Sequence, residues 1–366
     1  MIALWLACAQ NPEPPPAVVE PTKVKTKTRV RQGDAVVVLP AIRDPQWAAA
    51  RCNDGTPAGL RHRPGAEGST TWVIKVAGGF FCEDERIPCA ERERRLTTGP
   101  PGQDGAPADL SDIGLFSRDA TANPLFATAH HVQFEYCSSD LWLGTSTERQ
   151  ATPASPDGWY FSGRTVFAAN VAALKALGLD ETQARILVVG HSAGGAGVVG
   201  NLSTLTAAFP SAAASGRLKV VLDGSWIPAV DSPLLPAADR WGPVQEACDA
   251  AARAEGRDPT TCIYGPNWWP HVASTGVDVL VQISALDTTQ TRVFVPDRSA
   301  DAAETWKRNA IASLAPLPWV YSRAHAYHVV TFEKGFSEGP EPTFRDVLSA
   351  FWADEPARRV IEGAAP

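Results

Sequence analysis

Arg185-Ile186-Leu187-Val188-Val189 is a short apolar run that passes directly into Gly190-His191-Ser192-Ala193-Gly194-Gly195. A strand that ends in Gly-x-Ser-x-Gly and leads into a helix-compatible segment has a specific structural use. The sharp turn lifts the serine hydroxyl above the end of a sheet, and glycines stand where a side chain would collide with the neighbouring helix and strand. Gly-x-Ser-x-Gly alone is common by chance. Placed after a buried strand it constrains the fold, because the turn needs a sheet on one side and a packed helix on the other.

The rest of the chain supplies the matching alternation. Thr71 to Ala77 is a short apolar run that stops at Gly78-Gly79, as a buried strand would, and Val132 to Tyr136 is a second candidate. Between Gly163 and Leu177 the residues Val166, Phe167, Val171, Leu174 and Leu177 recur at helical spacing ahead of Gly178, a common helix-ending residue. Leu218 to Leu222 and Val277 to Ile283 read as two further central strands. Strands separated by helices pair in parallel, with helices on both faces of the sheet. With the serine turn added, the fold class is α/β, of the α/β-hydrolase type. The 366 residues, 44% of them hydrophobic, are enough for one large core, and residues 35–366 are assigned to a single catalytic domain. The Gly- and Pro-rich stretch from Thr98 to Ala108 reads as a surface loop.

Nothing in the sequence forms an apolar run of about 18 residues, so no membrane-spanning helix is expected. Met1 to Ala9, MIALWLACA, is similar to a bacterial lipoprotein signal, which makes residues 1–8 the signal and Cys8 the acylation site. Residues 9–34 are proline-rich and then basic at Lys23, Lys25, Lys27, Arg29 and Arg31, as expected of a solvated tether. Setting Cys8 aside leaves Cys52, Cys82, Cys89, Cys137, Cys248 and Cys262, an even set that suits three disulfides in an oxidising, extracytoplasmic setting. A net charge of −7 excludes a broad polyanion-binding surface, so nucleic acid is not an expected partner.

A serine hydroxyl needs a base to take its proton. In α/β-hydrolases the acid and then the histidine follow the serine in the chain, which removes His62, His130, His131 and His191 from the seven histidines. His271, His325 and His328 remain, with His271 read in a loop beside Trp268-Trp269-Pro270. The acid belongs at a strand end, where Asp287 and Asp223 both qualify. The backbone N–H of Ala193 is the natural first oxyanion donor, and Gly78-Gly79-Phe80 is placed to supply others.

Several of these segments together resemble the pectin acetylesterase family, and within it the extracellular lipid-deacylase branch. They are Cys52 to Gly59, Gly78-Gly79-Phe80-Phe81-Cys82 with Cys89, Cys137 to Gly144, His191 to Gly195, Asp223-Gly224-Ser225-Trp226, and Leu286-Asp287 through Gln290, in the family's order. The resemblance implies Ser192 as nucleophile, Asp287 as acid, His328 as base, and the amides of Gly79, Phe80 and Ala193 as oxyanion donors. It also implies disulfides Cys52–Cys137, Cys82–Cys89 and Cys248–Cys262. The sequence departs from the family at Phe80, where tryptophan is usual, and at His191, where serine or cysteine is usual.

What the resemblance implies is an extracytoplasmic serine carboxylesterase, monomeric and without metal or cofactor, working through an acyl-enzyme. Its expected substrate is an O-acetyl ester of a polysaccharide, with a longer acyl chain on a lipidated protein as the alternative. A catalytically silent binding module on the same fold is the rival of a different class. Trp142, Trp226, Trp268 and Trp269 stack on sugar rings, line an acyl pocket, or are simply core.

Overall fold

The computed structural model describes residues 35–82, 89, 110–152, 155–230, 245–295, 299–325 and 327–362. Cys8 and the lipoprotein-like start, the basic tether and the Thr98 to Ala108 stretch lie outside the described residues. In chain order the strands are β1 Val36–Val38, β2 Leu60–Arg63, β3 Thr71–Val76, β4 His130–Phe134, β5 Gln150–Thr152, β6 Ser155–Trp159, β7 Arg185–His191, β8 Leu218–Asp223, β9 Asp278–Ser284, β10 Trp319–Arg323 and β11 Arg359–Ile361. β5 and β6 form a separate hairpin. The other nine strands make one sheet in the order β1-β2-β4-β3-β7-β8-β9-β10-β11. β2 runs against β1 and β4, and every other pair is parallel.

Strand residues alternate between faces, and both faces of this sheet are covered, which is why the central strands read as continuous apolar runs. Ile186, Val188, Val220 and Leu222 join a core that includes Val166, Phe167 and Leu174 of the helix Gly163–Ala176. Their strand neighbours Leu187, Val189 and Val221 join a second core on the opposite face, with Phe344, Val347 and Phe351 of the helix Phe344–Trp352. Burying a side chain of this size contributes about 1.5–3 kcal/mol. Reversing the faces of β7 by a one-residue slip would exchange the two cores and move the serine off the strand end.

Two local expectations need correction. β4 begins at His130, two residues before the apolar run suggested, because His130 stacks on Trp72 of β3 with ring centroids 4.1 Å apart. His271 lies in the helix Gly265–Ala273, not in a loop. Pro270 removes one helical hydrogen bond, but Trp268 and Val272, four residues apart, are buried on one face and hold the turn.

Candidate active site

β7 ends where the serine turn begins. Ser192 has φ 56° and ψ −124°, and the helix Ala193–Gly200 starts on the next residue. This left-handed backbone is costly for a non-glycine residue, and close contacts fix it in place. A Cβ on Gly190 would strike Gly195, and one on Gly194 would strike the carbonyl of Val76 on β3.

The hydroxyl of Ser192 faces His328, whose Nε2 is 2.7 Å from Ser192 Oγ. His328 Nδ1 is 2.6 Å from Asp287 Oδ2. Asp287 is fully buried just beyond β9, and its other oxygen, Oδ1, accepts from the backbone N–H groups of Thr289 and Gln290 at 2.8 and 2.9 Å. The carboxylate therefore caps the helix Thr288–Phe294 while it orients the imidazole, fixing the Nδ1–H tautomer. The three residues come from three different loops at the carboxyl ends of parallel strands.

The other sequence candidates are placed elsewhere. The His325 ring leans on Tyr327, with centroids 5.2 Å apart, and its backbone carbonyl accepts from Ser284 Oγ. Asp223 does not reach the imidazole nitrogens. Its carboxylate accepts from the N–H groups of Val330 and Thr331 and from the Thr331 hydroxyl, all just beyond His328. Burial pushes its pKa up to about 6 against the pull of those donors. His191, partly buried, is held well below the usual histidine range by desolvation, with Lys75 and His328 adding to the shift.

Ala193 is the first residue of its helix, where a backbone N–H has no intrahelical acceptor. The Gly78-Gly79-Phe80 loop approaches the same turn so closely that a Cβ on Gly78 would meet the carbonyl of His191 and Cβ of Ser192. Phe80 itself has φ 64°. The loop is tied to the Cys137 to Gly144 segment: Trp142 Nε1 donates to Ala77 O at 2.9 Å and Cys82 N to Ser139 O at 2.9 Å. Disulfides join Cys82 to Cys89, Cys52 to Cys137 and Cys248 to Cys262. Bonds of this kind persist in oxidising compartments.

A pocket of about 500 Å³, counting space open to solvent, leads from Ser192 and His328. Phe80, Phe81, Leu141, Ile227, Ile263 and Phe294 give it an apolar wall. Trp142, Trp226 and Trp268 are buried core residues instead. Sequence reasoning missed the wall. Leu141 stands inside a quoted motif, whereas Ile263 and Phe294 carry no local signal that separates a pocket residue from a core residue.

The chain is similar to known proteins. A model of the pectinacetylesterase family matches residues 30–337. The palmitoleoyl-protein carboxylesterase Notum of Drosophila melanogaster is 30% identical over 291 residues, 74% of this chain and 39% of the relative. The human Notum is 31% identical over 151 residues, covering 41% of this chain and 29% of that protein. This chain thus spans well under half the length of these curated relatives. The crystal structure of the Drosophila Wnt deacylase Notum superposes with a TM-score of 0.72 at 25% identity, covering 87% of this chain and 95% of that one. The fold is therefore of the α/β-hydrolase type, and the chain belongs to the pectinacetylesterase family.

Proposed function

We propose that this chain is a serine carboxylesterase in which Ser192, His328 and Asp287 form the catalytic triad. The observation that carries the reading is the hydrogen-bonded chain from Ser192 Oγ through His328 to the buried carboxylate of Asp287, at 2.7 and 2.6 Å. His328 takes the hydroxyl proton as Ser192 attacks the ester carbonyl, and Asp287 stabilises the imidazolium that forms. The N–H groups of Ala193, Phe80 and Gly79 receive the charge on the tetrahedral oxygen. His328 then protonates the departing alcohol, and a water activated by the same imidazole releases the acid from the acyl-enzyme.

The apolar wall supports an acyl group longer than acetyl. Each buried methylene contributes about 0.8 kcal/mol, and an acetyl group would leave most of this lining untouched. On this ground we place the longer acyl chain first, where the sequence alone places acetyl first. The acyl-protein specificity named for the Notum relatives agrees with it, while the family model's name keeps acetylated polysaccharide as the second reading. With aryl esters, kcat/KM should be at least ~10-fold higher for an eight-carbon than for a two-carbon acyl group. A preference for acetate would restore the acetylesterase reading. Ser192→Ala should retain ~10⁻⁴ of wild-type kcat or less while folding normally, and unchanged turnover would remove the serine mechanism altogether.

Lipidation of Cys8 is proposed as the anchor of this enzyme on an outer surface. Intact-mass measurement of the chain from its native host should show a lipid on an N-terminal Cys8, and a mature chain without one excludes the anchor.

A further inference from the structure

We propose that Asp223 is a positioning residue that ties the nucleophile turn and the histidine loop to one point at the end of β8. The inference rests on the triad reading above and assigns a role to a residue outside that triad. Its main chain holds the nucleophile: Ser192 N donates to Asp223 O at 2.8 Å. The next residue but one reinforces this, since Ser225 Oγ lies 2.8 Å from Ser192 O and 3.1 Å from Asp223 O. Its side chain holds the base. Val330 N lies 3.1 Å from both carboxylate oxygens, Thr331 N is 2.9 Å from Oδ2, and the Thr331 hydroxyl donates to the same oxygen.

Gly224 stands between these two attachments at φ 65°, where a Cβ would collide with His328 O and come within 3.2 Å of His328 Cε1. It is fixed from two sides. Gly224 N donates to the Gln282 carbonyl on β9 at 3.0 Å, and Gln290 Nε2 donates to Gly224 O at 2.9 Å. The 2.7 Å contact between His328 and Ser192 thus spans two chain segments that are both hydrogen-bonded to Asp223.

A carboxylate suits this place better than its isosteres. Every group aimed at it is a donor, so an amide would turn its own NH₂ against a backbone N–H, and an apolar side chain would leave two buried N–H groups without acceptors. Burying the carboxylate is itself unfavourable, as its raised pKa records. Lys75 of β3 and His328 are ionisable groups that act on it, and His191 is its register partner on β7. A group kept at such a cost, and not used in proton transfer, sets geometry.

The test is kcat for an aryl octanoate per site titrated by a fluorophosphonate, measured for wild type, Asp223→Asn and Thr331→Val. A displacement of about an ångström between base and nucleophile lowers the rate by on the order of 10²-fold. Asp223→Asn should therefore lower kcat per titrated site by ~30–100-fold with KM within about twofold, since the acyl pocket is untouched. Thr331→Val removes one donor alone and should give a smaller loss in the same direction. It remains decisive if the asparagine variant does not fold. Wild-type kcat per titrated site in the variants, however many sites are lost, would show that the carboxylate serves folding only and would overturn the proposal. So would a raised KM at constant kcat. Failure of the wild-type enzyme to be titrated, by contrast, refutes the serine mechanism on which the inference stands.

Discussion

The two ends of the parallel strands use left-handed backbone in opposite ways. Where chain enters β7, β8 and β9 from a helix, the turns carry Gly178, Gly216 and Gly276 at φ 99°, 69° and 72°, with nothing within 4 Å of a Cβ built there. At the carboxyl ends, beside the glycines Gly79 and Gly224, five left-handed positions are not glycine: Phe80, Ser139, Leu141, Trp142 and Ser192, at φ between 53° and 66°. Each costs about 1–2 kcal/mol that glycine would avoid. Glycine brings no side chain, however, and Phe80, Leu141 and Ser192 all line the pocket beside His328. The strain is retained where function needs a side chain and where surrounding bonds hold the backbone.

Asp140 is the chief of those bonds around Leu141 and Trp142. Its buried carboxylate accepts from Ser138 Oγ at 2.6 Å, Trp142 N at 3.0 Å, Gly144 N at 3.2 Å and Gly163 N at 2.7 Å. Even so, burial raises its pKa from 3.8 to about 6. A folded-state value above the unfolded one means that the stability Asp140 contributes is complete below about pH 3.8 and is lost as pH rises through about 6. Asp140→Asn does not titrate. It should be less stable than wild type near pH 4, and the deficit should shrink by on the order of 3 kcal/mol toward pH 7 in urea unfolding. A deficit that is constant with pH would mean that the loop is not organised around a buried ionising group.

A smaller effect tests the other end of the sheet. Gly216→Ala meets no neighbour and suffers only from its φ, so it should lose about 1 kcal/mol of stability and no kcat/KM. Loss of activity in this variant would show that the two ends are coupled through β8, which would end the separation argued here.

Much of the scaffold is legible in short windows because it depends on short-range patterns. The apolar runs at Thr71, Arg185 and Leu218 are strands because both faces of the sheet are covered, and the serine turn announces itself through glycines that contact adjacent strands. Asp223 and Asp287 are different. Both stand at strand ends, position gives Asp287 only a slight lead, and the family resemblance is what selects it. Their roles diverge because Asp223 meets Val330 and Thr331, over a hundred residues away in the chain, while Asp287 meets His328. Helical His271 and the pocket residues Ile263 and Phe294 escaped for the same reason: packing between distant segments decides them, against proline chemistry in one case and without any motif in the other.

The double use of Asp287 has a further consequence. One oxygen starts the helix Thr288–Phe294 and the other bonds His328, while Val293 and Phe294 of that helix line the pocket beside Ser192. Under the proposed function, reactivity and chain-length preference are thus mechanically joined. A substitution that reshapes the pocket by shifting this helix should also rotate the carboxylate bonded to His328. Selection for a new acyl length can act freely on Ile227, Ile263 or Leu141, but on this helix it must act on rate and specificity together.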